Sequence, residues 1–356
     1  LGAARRFLVS APSPGFARSP KEVQENLGTA RRFLASRRRV AQSGFTLIEM
    51  MISVTIGLGI LAGLVGVLAT SSSNSKSNDR TAELMTNGRY ALNSIRQELR
   101  QAGFRGYTWA EPRAPGALGL VAGDNECLEA GAAQGAFVSN LRQGVWGSNN
   151  ANPFAANCIP AASYVANTDV LVVRRLDPVP IPPANLVANA LYFQSSYEVG
   201  QVFRRNVTPA VPPAFTGAPT PLASFAERIF VYYISPFTVA GEAQPVPALW
   251  RVALQANGSM TRELVASGIE RMQLQYGRFT TALDTQYTDT VTGTSVNAGS
   301  TEWDDVNSVR IWLLARNAVA EPGYVNTTTY AMGDQNITVN DNFRRQLFSS
   351  VVQLRN

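Results

Sequence analysis

Hydrophobic and polar positions follow different periods along this chain, and the changes of period divide it. From Phe45 to Ala69 it reads FTLIEMMISVTIGLGILAGLVGVLA, 25 residues in which Glu49 is the only charge. A helix of that length spans a bilayer. Thr70 to Asn78 is polar. The next stretch, TAELMTNGRYALNSIRQELRQAGFRGY, places Leu84, Ala91 with Leu92, Ile95, Leu99 and Ala102 at three- and four-residue steps, the period of an amphipathic helix. One helix is expected from about residue 46 to 102, ~85 Å long at 1.5 Å per residue, with Gly103 as its stop.

Residues 103–166 have no period. They are rich in Gly, Ala, Pro and Asn, hold both cysteines and QGVWGSNNANP (143–153), and read as a long irregular connection and candidate contact surface. Strand signals follow in TDVLVVRRL (168–176), RIFVYYISPF (228–237), LWRVALQ (249–255), MTRELVA (260–266), ERMQLQYG (270–277), VNSVRIWLLARN (306–317) and RRQLFSSVVQLRN (344–356). These stretches are β-branched and aromatic, with Asn257-Gly258 as a hairpin turn. The Thr-rich stretch 279–302 reads as an exposed loop. One helix followed by runs of strands predicts an α+β fold, a long N-terminal helix packed on an antiparallel sheet. The expected divisions are a leader (1–44), a membrane half-helix (45–70), an amphipathic half-helix (71–102) and a globular domain (103–356).

Charge sharpens these boundaries. The chain carries 31 Lys/Arg and 25 Asp/Glu; residues 1–44 hold nine and two of these, leaving 22 basic (31 − 9) against 23 acidic (25 − 2) from Phe45 onward. The basicity therefore belongs to the leader, and a polyanion-binding domain loses its support. Arg37, Arg38 and Arg39 precede the apolar run. The positive-inside rule then puts the N-terminus in the cytoplasm and everything after residue 70 across the membrane. In an exported protein Cys127 and Cys158 are expected to pair, closing a loop worth ~3 to 4 kcal/mol in the chain-entropy model.

Candidate chemistry is sparse. The sequence has no His, which removes the commonest general base and metal ligand. It also has no P-loop, dinucleotide turn, GxSxG elbow or CxxC. Asp124/Glu126 and Glu302/Asp304/Asp305 lack EF-hand spacing and read as solvated loop charge. Arg174/Arg175 and Arg344/Arg345 read as strand-edge charges rather than a nucleic-acid patch. No catalysis, cofactor or metal is expected, and no direct nucleic-acid partner.

Glu49 stands apart, because a carboxylate four residues into an apolar span is expensive in lipid and needs a partner. Three readings compete for the segment. It is a secretory signal cut after Ala69, giving a periplasmic enzyme or binding protein; a plain anchor; or a segment cut between Gly44 and Phe45, whose new α-amino group on one subunit is compensated by Glu49 of another. The six residues Gly44, Phe45, Thr46, Leu47, Ile48 and Glu49, followed by the apolar run, resemble the class III signal of type IV pilins and pseudopilins. That resemblance implies prepilin peptidase cleavage after Gly44, N-methylation of Phe45 and a role for Glu49 in subunit assembly. NGRYALNSIRQELRQAGFRGY and the terminal VVQLRN are similar to PilW-type minor pilins, whereas ASGIERMQLQYG is shared with the J-type pseudopilins of type II secretion. The resemblance implies a type IV pilin-like fold and a subunit that primes or enters a pilus serving twitching, adhesion or DNA uptake. Its partners would be other pilins and minor pilins, the prepilin peptidase and the inner-membrane assembly platform. A J-type minor pseudopilin is the alternative. The leader departs from the family in length, and LGAARRFLVS (1–10) recurs as LGTARRFLAS (27–36). The duplicated Arg-rich decamer reads either as a basic amphipathic helix or, the favoured expectation, as part of an over-extended reading frame covering residues 1–36.

Overall fold

The computed structural model describes residues 44–113, 118–120, 127, 136–156, 158–208, 222–279, 284–291 and 301–354. The leader, its repeated decamer, and Asp124 and Glu126 lie outside them. The chain divides into two units, residues 1–67 and 68–356.

Helix α1 covers Leu47–Arg100, within two residues of the expected limits. At its end Gln101 and Ala102 donate to the carbonyls of Glu98 and Leu99. Gly103 then takes a φ of 77°, the left-handed conformation that ends helices and suits a residue without Cβ.

Among the described residues, the second unit holds the last part of α1 and thirteen strands. The buried stripe of α1 is Leu84, Gly88, Ala91, Leu92, Ile95 and Leu99, joined in one core with Val170–Val173, Ile229, Val231, Met272, Leu274, Ile311 and Leu313. Gly88 is required there. A Cβ on it would lie 2.2 Å from the Phe348 ring, so only glycine lets the helix approach this closely. Asn87 donates to the Ser267 hydroxyl at 3.1 Å and Arg175 pairs with Glu98 at 2.5 Å.

The larger sheet contains β1 (Val145–Ser148), β2 (Val170–Leu176), β3 (Leu191–Ser195), β4 (Gly200–Arg204), β5 (Ala223–Ser235), β6 (Ala248–Leu254) and β7 (Met260–Ser267). Its order is β1-β2-β5-β3-β4, with β6 also on β5 and β7 on β6. The 13-residue β5 pairs with β3 through 223–226, with β2 through 227–232 and with β6 through 230–235. A second sheet, order β13-β10-β8-β9, is built from β8 (Ile269–Phe279), β9 (Thr285–Thr288), β10 (Val306–Arg316) and β13 (Arg345–Gln353). A hairpin of β11 (Thr329–Met332) and β12 (Gln335–Thr338) completes the set. Among the described residues every ladder between named strands is antiparallel, and all seven expected strands appear.

Four readings need correction. The stretch 103–166 is not irregular throughout: Val145–Ser148 enters the sheet by pairing with β2, after a short helix α2 (Ala136–Ser139). Within 279–302, residues 285–288 form β9. Arg174 is not an edge charge; it is fully buried, donates to the carbonyls of Phe137 (3.1 Å) and Gln143 (3.3 Å) and lies over the Phe137 ring. Arg344 and Arg345 do stand at the start of the edge strand β13, as expected, where they pair with Glu321, and with Glu270 and Asp341; Arg175 pairs with Glu98. Likewise Glu302 and Asp305 both face Arg278.

Two buried acids carry a consequence for pH. Glu227 is 5% exposed, neither carboxyl oxygen has a hydrogen-bond partner, and burial pushes its pKa up to about 8. Burial also raises Asp169 to about 7, against the opposing backbone N–H bonds from Asn150 and Leu274. Both are protonated in the fold and ionised in the unfolded chain over the intervening range. Their contribution is complete below pH ~4 and is lost as pH rises through 7 and 8. The melting temperature of the second unit is therefore expected to fall between pH 5 and pH 9, each acid costing on the order of a few kcal/mol. Glu227→Gln, which keeps the shape and cannot ionise, should flatten that profile in a calorimetric pH series; an unchanged slope would contradict the assignment.

Candidate functional site

The segment singled out by sequence starts α1. Thr46 precedes the first helical residue, and its backbone N–H and hydroxyl both donate to Glu49 Oε2 at 3.1 Å. The Glu49 N–H in turn reaches Thr46 Oγ1 at 3.3 Å. This is a reciprocal capping box, in which an N-cap hydroxyl and the acid three residues on satisfy two backbone donors that a helix start leaves unpaired. The carboxylate also sits at the positive end of the helix dipole. Both bonds fall on Oε2, which leaves Oε1 available to a cation outside the chain. Thr-x-x-Glu was legible as a capping signature, yet sequence reasoning gave Thr46 no role.

Around this cap the surface is apolar. Phe45 is 83% exposed, and Leu47, Ile48, Met50, Met51, Ile52 and the aliphatic side chains on to Leu68 are exposed as well. The polar residues inside the run turn back on the helix: Ser53 donates to Glu49 O at 2.7 Å and Thr55 to the carbonyls of Met51 and Ile52. With those hydroxyls satisfied locally, a helix presents only hydrocarbon outward. Among the described residues it is the one helix long and apolar enough to cross a membrane. Val67, Leu68 and Ala69 are helical residues within α1.

Structure places Gly44, Phe45 and Glu49 together at one helix start. The cysteines are elsewhere: Cys127 and Cys158 form a disulfide with Cα atoms 5.2 Å apart, both buried in the main core. Among the described residues no group of three His, Cys, Asp or Glu side chains is placed to hold a metal ion.

Comparison with known families divides along the same lines. A family model for type IV pilus-assembly protein W matches residues 231–356, and one for the prokaryotic N-terminal methylation motif matches residues 39–65. The first covers β6 to β13 with the end of β5; the second covers the capped helix start. No curated protein and no solved structure matches the chain.

The capping box has a direct test. Thr46→Val keeps the size of the side chain but removes its hydroxyl, and losing such a cap costs about 1 kcal/mol. Amide exchange in the first turn of α1, measured in detergent micelles, is expected to accelerate roughly fivefold, while the second unit exchanges unchanged.

Proposed function

We propose that the chain is a type IV pilin-like protein of the PilW type, a minor pilin acting in pilus assembly, and that its helix start is cut and then paired as the subunit assembles. The Gly44–Phe45 peptide bond is hydrolysed by a prepilin peptidase, and the new Phe45 amine is methylated. The product begins one residue before Thr46, so the Thr46–Glu49 cap survives the cut. A cationic α-amino group then lies at the edge of an apolar helix, and a carboxylate oxygen lies free a turn away. Within one chain Glu49 already serves the Thr46 donors. Between chains, Oε1 can take the Phe45 ammonium of a neighbour.

The observation that carries this reading is the capped, wholly exposed apolar helix start, which holds the carboxylate of a head-to-side contact and, once the chain is cut, would hold its ammonium as well. Such a contact is far stronger in a low-dielectric bundle than in water, and it sets helix-to-helix register because a misplaced pair leaves two charges unpaired. The Arg cluster before the span supports an orientation with the leader in the cytoplasm and the β-domain in the periplasm. A disulfide in the core supports an oxidising surrounding for that domain. The role is structural: the subunit joins other pilins at the membrane assembly platform and enters or primes the filament.

Mass spectrometry of the mature protein is expected to find Phe45 as the N-terminal residue, carrying one methyl group. A start after Ala69 would exclude this reading. In the same strain Glu49→Ala is expected to leave membrane insertion and cleavage intact and to remove the subunit from sheared filaments; normal recovery there would sink the role given to Glu49.

A further inference from the structure

Strand β13 is the outer strand of the second sheet and pairs with β10 alone, without a register shift. Two bonds bracket that ladder: Asn317 N–H donates to Arg344 O, and Leu354 N–H donates to Asn307 O. Alternate residues of an antiparallel strand bond to opposite sides, so the even-numbered residues face β10. Arg345, Leu347, Ser349, Val351 and Gln353 therefore turn their N–H and C=O groups outward. None of these N–H groups has a hydrogen-bond partner among the described residues. The outward carbonyls of Leu347 and Val351 meet only side chains of the strand itself, Gln346 Nε2 at 3.3 Å and Ser350 Oγ at 3.5 Å.

Sheet edges are ordinarily guarded by brevity, charge, proline, a bulge or a covering segment. The other margins of the two sheets are guarded in these ways. β1 and β9 have four residues each. Arg113 covers β4 by bonding to Gly200 and Val202. β7 carries Arg262 and Glu263 on its length and an irregularity in its register. β13 has nine residues with no Pro, Gly, Lys or acid, and its one charge, Arg345, is held within the fold by Glu270 and Asp341.

We propose that β13 pairs edge to edge and antiparallel with β13 of a second copy of this chain, about a two-fold axis through Ser349. Ser349 is the midpoint of Arg345–Gln353, so this register alone overlaps the whole strand, and it closes about ten backbone hydrogen bonds. The strand is complementary to itself there. Leu347 faces Val351 of the other copy, Ser349 faces Ser349, and Arg345 faces Gln353 rather than another arginine; Gln346 with Val352 is the one mixed pair. Leu347 also lies beside Leu314 of β10, so an apolar row continues across the boundary. A two-fold contact of this kind uses the same patch on both chains and closes on itself. It joins two four-stranded sheets into one, and it uses neither Phe45 nor Glu49, so it stands apart from the assembly reading.

The test uses the full-length chain in membranes of the expressing cell. Cys127 and Cys158 are bridged to each other, so one introduced cysteine supplies the free thiol. Ser349→Cys lies on the axis, its Cα about 5.5 Å from that of its copy and within disulfide reach. Oxidation with copper phenanthroline is expected to give a covalent dimer. Val351→Cys alone stands about 14 Å from its copy, beyond that reach, and is expected to give roughly tenfold less dimer. Mixed with Leu347→Cys chains, it is expected to link to them. Val351→Pro in the Ser349→Cys chain removes an outward N–H and no bond to β10. It is expected to cut the dimer about tenfold with the melting temperature close to that of the parent. Equal dimer from Val351→Cys and Ser349→Cys overturns the pairing. So does no dimer from Ser349→Cys, which is also the result if a different protein occupies the edge. If the proline variant unfolds, the two cysteine variants still decide.

Discussion

Burial of the Leu84–Leu99 stripe of α1 in the second unit is the contact on which the rest depends. The amphipathic part of the helix makes few stabilising bonds of its own beyond the backbone ladder, and helices of ordinary composition are marginal in water without tertiary packing. Here the packing is close because Gly88 admits the Phe348 ring, and it is oriented by polar contacts at both ends. Asn87 meets Ser267 near one end. Near the other, Glu98 meets Arg175, and the chain leaving the helix bonds to β2 through Gly103 N–H to Arg174 O at 2.9 Å and Leu176 N–H to Phe104 O at 3.0 Å. The helix exit and the first long strand are thereby fixed together.

The N-terminal part of α1 has the opposite character. Its backbone and its few hydroxyls are satisfied within the helix, so nothing polar remains to be met except at the first turn. There Thr46 and Glu49 satisfy each other and still leave one carboxylate oxygen over. An apolar helix with a single unspent acceptor at its tip is soluble in lipid and selective in whom it meets there.

Sequence reading succeeded where period and surroundings agree. The α1 stripe, β2, the β5 to β8 series with its Asn257-Gly258 turn, β10 and β13 each have alternating or β-branched runs long enough to register. Strands β3 and β4 escaped because LYFQS and GQVFR are five residues each and buried on both faces, which erases alternation. The four residues of β1 lie amid Gly and Asn, and β11 and β12 are largely polar. Charges were misjudged for a related reason. Nothing in the string VVRRL distinguishes an arginine on a strand edge from Arg174, whose guanidinium is held by carbonyls from residues more than thirty positions away. At the helix start Gly44, Phe45 and Glu49 stood out in the sequence, while the bond from Thr46 to Glu49 required the helix start to be located first.

Strand β5 ties the larger sheet together in a way that bears on how the domain comes apart. Its first residues pair with β3, its middle with β2 and its last with β6, so β2, β3 and β6 are held in that sheet while β5 keeps its ladders. Local opening in that sheet is thus confined to its margins, β1, β4 and β7, which pair with β2, β3 and β6. The central amides of β5 exchange with solvent only when the whole unit opens, and proteases find no stable half to leave behind. A subunit built this way fails all at once or not at all.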